Sequence, residues 1–460
     1  MILLTSFCFI CALQTFRLYI SYRYLLKKKK IFSNKQAQDI FLIIPVLEEQ
    51  PVIKESVEHF AKLVTDKTHV IYVTSAKEKK KKNIPTTLEL LRDLKKEYPI
   101  EIINCPLVKN AVMAHQINYA INKLTQQLKK DFIVGIYNVD SQITLSTISR
   151  ILKVFEKVKD KRFIVQQYTL YPHSSGGVLS HIALWQNRWT LHFELGRVLV
   201  GENSYFLHIC KTFNYVIGHG LFFTNKVWKE IGGIPQDVSN EDACMGLMLY
   251  AHDYKIYSIK NVEYALIAKN LKVYVKQQSV WFNGPLYAFL YAQKINSKHD
   301  PDVKFYCQCW VGAAKLFMHA IYWLFGPILI WFVVPIYFYK HPAFLSAWYL
   351  VAIYHCYFLN LIAMHFVNKI NPHTITNVGN MIEAIVAYLL HCIGPIYTLM
   401  KIAKGKNSIK YHRNGLNEKY LFLNSFIREF NPPYAYKLID GNIGVNGVKI
   451  SLPQYMAMFL

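Results

Sequence analysis

Acidic residues are scarce: 29 Asp and Glu stand against 53 Lys and Arg in 460 residues, a formal net charge of +24. That imbalance argues against an acid-rich binding protein and favours anionic partners, either nucleic acid or a negatively charged membrane surface. No nucleic-acid module is recognisable in the sequence. The basic runs Lys27–Lys30 and Lys401–Arg413 adjoin apolar segments instead, so a membrane surface is the expected partner and nucleic acid is not. Paired cysteine spacings are also missing. The nine cysteines are scattered and odd in number, and Cys307-Gln-Cys309 is too tight for a zinc ligand pair. A disulfide framework and a zinc module are thereby excluded, and reduced thiols suit a cytosolic domain. There is no cleavable leader pattern, because Arg17, Arg23 and Lys27–Lys30 follow the first apolar run rather than precede it. No repeat of fixed period appears.

Long apolar runs are absent from the middle of the chain and present at both ends. Met1–Leu26 reads as an uncleaved anchor with its C-terminal side in the cytosol. Val311–Tyr339, Ala343–Val367 and Asn380–Met400 are long enough to span a bilayer, with a kink expected at Gly326-Pro327. The expected organisation is an anchor (1–26), a cytosolic α/β domain (27–304), transmembrane helices (305–401) and a basic tail (402–460). Three spans after a cytosolic domain leave Lys401–Arg413 outside, against the positive-inside tendency. Asn380–Met400, which carries Glu383 and His391, is therefore the segment expected to lie in the interface or re-enter.

Between Lys27 and Lys304 strand and helix signals alternate. Strands are expected at Ile40–Ile44, Val70–Val73, Ile100–Ile103, Phe132–Ile136 and Phe163–Gln167, and Gly218-His-Gly220 turns into Leu221–Thr224. Helices are expected at Val52–Leu63, Thr87–Lys96, Asn110–Lys129, Thr144–Val158, Gly176–Val200 and Asn240–Tyr250. Lys77–Lys82 reads as a solvated loop. Such alternation predicts a parallel sheet with helices on both faces.

The stretch Asp131–Gln142 organises the rest. A buried run, Phe132–Ile136, ends in Tyr137-Asn138-Val139-Asp140-Ser141. Open α/β sheets place ligands at the C-terminal ends of such strands. On an extended chain Asn138 and Asp140 share a side, and their oxygens suit a hard divalent cation, Mn²⁺ or Mg²⁺, that can in turn hold a diphosphate. The other reading of Asp140 is a cap on the following helix. Glu241 and Asp242 open the Asn240–Tyr250 helix, where acids also suit the helix dipole.

Taken in order, these landmarks resemble the membrane-bound, family 2, inverting glycosyltransferases, the group of the cellulose, hyaluronan and poly-N-acetylglucosamine synthases. Ile43-Ile-Pro45-Val-Leu-Glu48-Glu49 resembles the opening strand and "P-V-x-N-E" turn that grips the nucleotide. Asn118-Tyr-Ala is similar to the "A-L-N" element, and Tyr137-Asn138-Val-Asp140-Ser141 to the "D-x-D" metal motif. Gly218-His219-Gly220 resembles the acceptor-side glycine loop. Gly232-Gly-Ile-Pro235 with Asn240-Glu241-Asp242-Ala-Cys-Met-Gly246 is similar to "G-G-(F/I)-P … T-E-D-x-x-x-G". Gln277-Gln-Ser-Val280-Trp281 is similar to "Q-x-x-R-W". The resemblance covers about residues 39 to 284. It implies a GT-A fold, a Rossmann-like α/β nucleotide-binding sheet with helices on both faces, joined to transmembrane helices. The implied donor is a nucleotide-sugar, most simply a UDP-sugar, and the implied acceptor a glycan, polysaccharide or lipid-linked sugar.

By that resemblance Asp242 is the base, with Glu241 beside it. Pro45, Glu49, Asn118, Asn138 and Asp140 hold the nucleotide-sugar, Asp140 the metal, and Gly218, His219, Gly220, Gln277 and Trp281 the acceptor. Asn138 stands in place of an acid, Thr74-Ser75 in place of a base- or ribose-binding acid, and Val280 in place of an arginine. Trp281 also fits an interfacial anchor, and His219 a structural role. Trp185, Arg188, Trp189 and Glu194 fit either an acceptor groove or packing against the membrane. Two other classes stay open: a transferase-derived membrane scaffold without turnover, and a membrane-surface protein that binds anionic polymers.

Overall fold

Seven strands form one sheet in the order β3-β2-β1-β4-β7-β5-β8, parallel throughout except for β7. The computed structural model describes residues 1–27, 38–80, 84–106, 112–159, 162–171, 176–203, 216–265, 267–298, 302–370, 379–404, 435–439, 444–446 and 449–453. Lys28–Lys30, Lys81, Lys82, Asn110, Cys210 and residues 405–413, all invoked above, lie outside them. The chain divides into two compact units, Met1–Tyr411 and His412–Leu460.

In the first unit α1 (Ile2–Leu26) precedes the sheet. The first half of the sheet follows in alternation: β1 (Ile40–Pro45), α2 (Ile53–Ala61), β2 (Thr68–Ser75), α3 (Thr87–Leu94), β3 (Glu101–Cys105), α4 (Met113–Leu128), β4 (Ile133–Ile136) and α5 (Leu145–Lys157). Residues of β1 alternate between two cores. Ile40, Leu42 and Ile44 face α2, α3 and α5, whereas Phe41 and Ile43 face α4. All five are at most 3% exposed, and each such buried side chain contributes about 1.5–3 kcal/mol. Helix faces match: α2 buries Ile53, Ser56, Val57 and Phe60 at helical spacing. A reciprocal capping box, Thr86 with Glu89, starts α3.

The second half is less regular. It runs through β5 (Phe163–Gln166), β6 (Thr169–Leu170), α6 (Gly177–Arg188), a π-helical stretch Trp189–Leu195, α7 (Gly196–Asn203), β7 (Leu221–Thr224), α8 (Asn225–Glu230), α9 (Glu241–Ala251), β8 (Lys255–Ser258) and β9 (Glu263–Tyr264). The pair β6–β9 is a separate two-stranded sheet. After it come α10 (Leu271–Leu286) and α11 (Ala288–Lys298).

Among the described residues four helices are long and apolar enough to cross a membrane: Ile2–Leu26, Val303–Phe338, Pro342–Ile370 and Met381–Ala403. The second comprises α12 (Val303–Ile328), a π-helical turn Leu329–Val333 and α13 (Val334–Phe338). Pro327 cannot donate to the helical ladder, and the ladder changes register just after it. The third comprises α14 (Pro342–Ile353), a π-helical turn Tyr354–Phe358 and α15 (Leu359–Ile370). The fourth is broken at His391-Cys392 into α16 (Met381–Leu390) and α17 (Ile393–Ala403), which pack on α6 and α10. Exposed large hydrophobic side chains follow the same division. Between Lys27 and Asn270 only Ile84, Tyr119 and Leu145 are exposed among the described residues, whereas α1 and residues 303–400 expose many. Apolar surface on that scale fits lipid contact.

Within the second unit β10 (Ala435–Ile439) pairs parallel with β12 (Lys449–Pro453), which pairs antiparallel with β11 (Gly444–Asn446). These strands lie in the segment read from sequence as a basic tail.

Candidate active site

Strand order reverses between β1 and β4. From β1 the chain moves outward through β2 and β3, then returns to place β4 on the other edge of β1. From β1 the chain runs towards β2, and after β4 it runs towards β5, so the strand order switches here, the place where open α/β sheets form their ligand crevice. Half-buried Pro45 ends β1, and Tyr137–Asp140 follows β4. Two expectations for this stretch change. β4 stops at Ile136 and Val139-Asp140 is a turn, with Ser141 N–H donating to Asn138 O at 3.2 Å. Extended-chain alternation therefore does not govern Asn138 and Asp140. Asp140 is also not a helix cap, because the N-cap of α5 is Thr144. Asp140 is exposed and has no hydrogen bond or ion pair among the described residues.

The loop around this carboxylate is pinned from below. His59 Nε2, on α2, accepts the Ile143 amide at 3.0 Å. Burial holds the His59 imidazole below its ordinary value of 6.5, in keeping with a neutral acceptor. Gln116, on α4, donates to Val46 O at 2.9 Å and Val73 O at 2.7 Å, tying the ends of β1 and β2 together. Glu49 donates its amide to Thr87 Oγ1 at 3.1 Å, and its carbonyl receives the Ile53 amide at the start of α2. Thr74 donates to Asn104 at 3.0 Å.

Asn118 is engaged with the loop after α8. Its Oδ1 accepts from Trp228 Nε1 at 2.7 Å and from the Ile234 amide at 2.9 Å, and its Nδ2 donates to Ile234 O at 2.7 Å. It fastens the Gly232–Pro235 loop to α4, and the amide of α4 that reaches the strand ends is Gln116. Sequence reasoning missed Gln116, although a lone amide on the buried face of an apolar helix was a signal available to it.

Across the crevice the glycine loop is held by backbone bonds. Gly220 N–H donates to Ile136 O, the last residue of β4, at 2.8 Å, and Gln167 N–H donates to Gly220 O at 2.8 Å. Gly220 has φ +63°, and a Cβ there would lie 2.9 Å from Gln167 O, so glycine is required. The fully buried Gln166 donates to His219 O at 2.9 Å and accepts the Ile217 amide at 3.1 Å. His219 Nδ1 lies 3.0 Å from Glu263 Oε2, a carboxylate only 2% exposed. Tyr137 donates to Gln167 Oε1, and burial, followed by the nearby Glu263 charge, holds its phenol far above the ordinary range. Gln166 and Glu263 are further groups that the sequence reading passed over.

Asp242 joins the same loop. Its Oδ2 accepts the Gly218 amide at 3.2 Å and its Oδ1 the Ala243 amide at 2.8 Å. A Cβ on Gly218 would lie 3.3 Å from that Oδ2. The cap of α9 is Asn240, whose Oδ1 accepts the Ala243 amide at 2.9 Å, and Glu241 and Asp242 are its first two helical residues. Two backbone amides and the helix N-terminus thus stabilise the Asp242 negative charge. Gly284 of α10 packs on Ala243 and Asn240. Gln277 and Trp281 stand seven and three residues before it, on the same helix face. Gln277 Oε1 is buried without a hydrogen-bond partner among the described residues.

Trp185, Arg188, Trp189 and Glu194 pack rather than line an open groove. Arg188 is 1% exposed, lies 3.6 Å over the Trp185 ring, and donates to His355 O and to Asn360 Oδ1. Trp189 stacks on Phe193, and Glu194 accepts from Thr190 at 3.0 Å.

No family model and no curated protein sequence matches the chain. Among solved structures it is similar to the mannosyltransferase PcManGT from Pyrobaculum calidifontis in complex with GDP-Man and Mn²⁺. That match has 13% identity over 86% of this chain and 97% of that one, with a TM-score of 0.49. It is also similar to residues 1–349 of S. aureus TarS, at 12% identity over 82% and 93% of the two chains and a TM-score of 0.39. A third likeness is to glucosyl-3-phosphoglycerate synthase from Mycobacterium tuberculosis in complex with Mn²⁺, UDP and phosphoglyceric acid. It has 11% identity over 54% and 78%, with a TM-score of 0.31. The ligands named there belong to those proteins.

Proposed function

We propose that the chain is a membrane-bound, inverting glycosyltransferase that moves a sugar from a nucleotide-sugar to a glycan, polysaccharide or lipid-linked acceptor. The α/β domain is taken to face the cytosol and the donor to be a UDP-sugar. One observation carries the reading: two hydrogen bonds donated by backbone amides, Gly218 to the Asp242 carboxylate and Gly220 to Ile136 O, link a carboxylate to the sheet's switch point. The ordered motif series supports it.

In this reading the donor diphosphate occupies the crevice at Pro45, Glu49, Asn138 and Asp140. Among the described residues no three His, Cys, Asp or Glu side chains converge as a metal cluster. One unpaired carboxylate with a neighbouring amide oxygen nonetheless fits Mg²⁺ or Mn²⁺, which commonly takes few protein ligands and shares its shell with phosphate and water. Asp140 and Asn138 would hold the cation, and when bound it neutralises charge on the leaving diphosphate. Asp242 receives the proton of the acceptor hydroxyl as that oxygen attacks the anomeric carbon opposite the diphosphate, a role worth about 10²–10⁴-fold for a positioned base. Glu241 supports it. Gln277 and Trp281 contact the acceptor, and His219, oriented by Glu263, stands behind the glycine loop.

Incubating the purified full chain with UDP- and GDP-sugars, with Mn²⁺ or Mg²⁺, tests the reading. Release of nucleoside diphosphate from one donor is expected. If no donor is consumed under any metal, a scaffold without turnover is favoured, in line with Asn138 and Val280 at positions where the resembled family carries charge.

A further inference from the structure

A cavity of about 430 Å³ opens where the end of α1 meets the α/β domain. Leu26 and Lys27 line one side, Thr144 and Thr147 of the α5 N-terminus another, and Lys260 and Ile370 close it. Among the described residues no Asp or Glu lines it. Lys27 and Lys260 make no ion pair among the described residues, although the Lys260 ammonium lies 5.5 Å over the Tyr24 ring. Arg150 adds a third cation next to the cavity: it donates to Asn261, which itself donates to Ser146 and Thr147 at 3.0 and 3.1 Å. Burial, then the charges of Lys27 and Arg150, push the Lys260 amine below its ordinary value. Lys27 is exposed and Arg150 and Lys260 are half-buried, so their mutual repulsion is modest, and an anion seated among them relieves it. The Thr144 side chain also makes no cap bond to the α5 amides.

The depth of the cavity indicates which anion. Leu26 and Ile370 are the last residues of two candidate spans, Ile2–Leu26 and Pro342–Ile370. Both helices end at this cavity, so its apolar wall continues into the lipid-facing surface while its cationic wall belongs to the α/β domain. That is the level of lipid headgroups.

We propose that this cavity seats the phosphate of an anionic membrane lipid from the leaflet adjoining the α/β domain. Gln142 and Ile143, which follow Asp140 in its loop, also line the cavity, so the site adjoins the candidate crevice; it depends only on the reading that α1 and Pro342–Ile370 cross the bilayer. A soluble phosphate offers the same charge but nothing for Leu26 and Ile370 to meet.

The test uses the full chain reconstituted in phosphatidylcholine vesicles with or without phosphatidylglycerol, reading retained lipid after purification. Wild type should retain phosphatidylglycerol in preference to phosphatidylcholine. At about fivefold per basic residue near an anionic surface, Lys27→Gln with Lys260→Gln should weaken that preference by roughly tenfold or more. The pair Lys27→Arg with Lys260→Arg should keep it, which separates lost charge from lost fold. Excess inorganic phosphate should not displace the lipid. Equal retention of both lipids, an unaffected double glutamine variant, or displacement by inorganic phosphate would each overturn the proposal while leaving the transferase reading intact. Failure to insert into either vesicle would overturn it together with the membrane reading.

Discussion

The two sides of the crevice are built differently. On the β1–β4 side the central carboxylate, Asp140, is exposed and without a hydrogen bond or ion pair among the described residues. Its loop is anchored through Ile143, through the Asn138–Ser141 turn and through Tyr137. On the β7–α9 side the central carboxylate, Asp242, is held by two backbone amides, and its loop is fixed to β4, to Gln167 and to Gln166. An unpaired surface acid contributes little to folding and is free for a ligand. An acid wired into backbone amides is already oriented before any ligand arrives, which is how a positioned base avoids reorganisation during reaction. The contrast assigns binding to the first side and proton transfer to the second.

The contrast breaks most visibly at Asp140. Asp140→Ala should abolish metal-dependent nucleotide binding, as chelation of Mn²⁺ or Mg²⁺ should in wild type. Its stability should nonetheless stay within about 0.5 kcal/mol of wild type. Calorimetric nucleotide titration alongside denaturant unfolding checks both halves, and a variant that binds nucleotide and metal like wild type would remove the stretch from the site. On the opposite side a substitution should cost stability itself. Gly220→Ala meets positive φ and Gln167 O together and should destabilise by about 1–3 kcal/mol, read as a lower unfolding midpoint. Asn118→Ala leaves Trp228 Nε1 and the Ile234 amide without their acceptor and should cost about 1–3 kcal/mol as well. Nucleotide affinity should change less than in Asp140→Ala, since the amide serves the loop.

The smallest effect is on pH. His59 is held below 6.5 in the folded chain, so the unfolded chain takes up the proton first on acidification. The stability that neutral His59 confers is complete above 6.5 and declines as pH falls from there towards its folded value. Thermal midpoints across that range should flatten in His59→Gln, and unchanged pH dependence would assign the decline to other groups.

Much of this was legible because apolar pattern and local motifs carry it. β1 and β4 read directly from Ile40–Ile44 and Phe132–Ile136, and α9 from its opening acids. The order of the sheet, with antiparallel β7 between β4 and β5, depends on long-range pairing and left no local trace. β6 and β9 are two residues each, too short for a period to show. Gln116, Gln166 and Glu263 escaped because each is a single polar residue whose partner lies far along the chain. The Asn138–Asp140 turn escaped because extended alternation was carried four residues past the strand's end. Asn118 was read through its motif, and only three-dimensional contact shows its amide turned to Ile234 and Trp228.

Asp242→Asn addresses the central claim most directly, because asparagine can still accept the Gly218 or Ala243 amide but cannot take up the acceptor's proton. Sugar transfer and nucleotide binding should be measured on the same preparation once the donor is known. Transfer is expected to fall by about a hundredfold or more with nucleotide affinity unchanged. Near-normal transfer would contradict the account and leave Asp242 as a structural acid of α9.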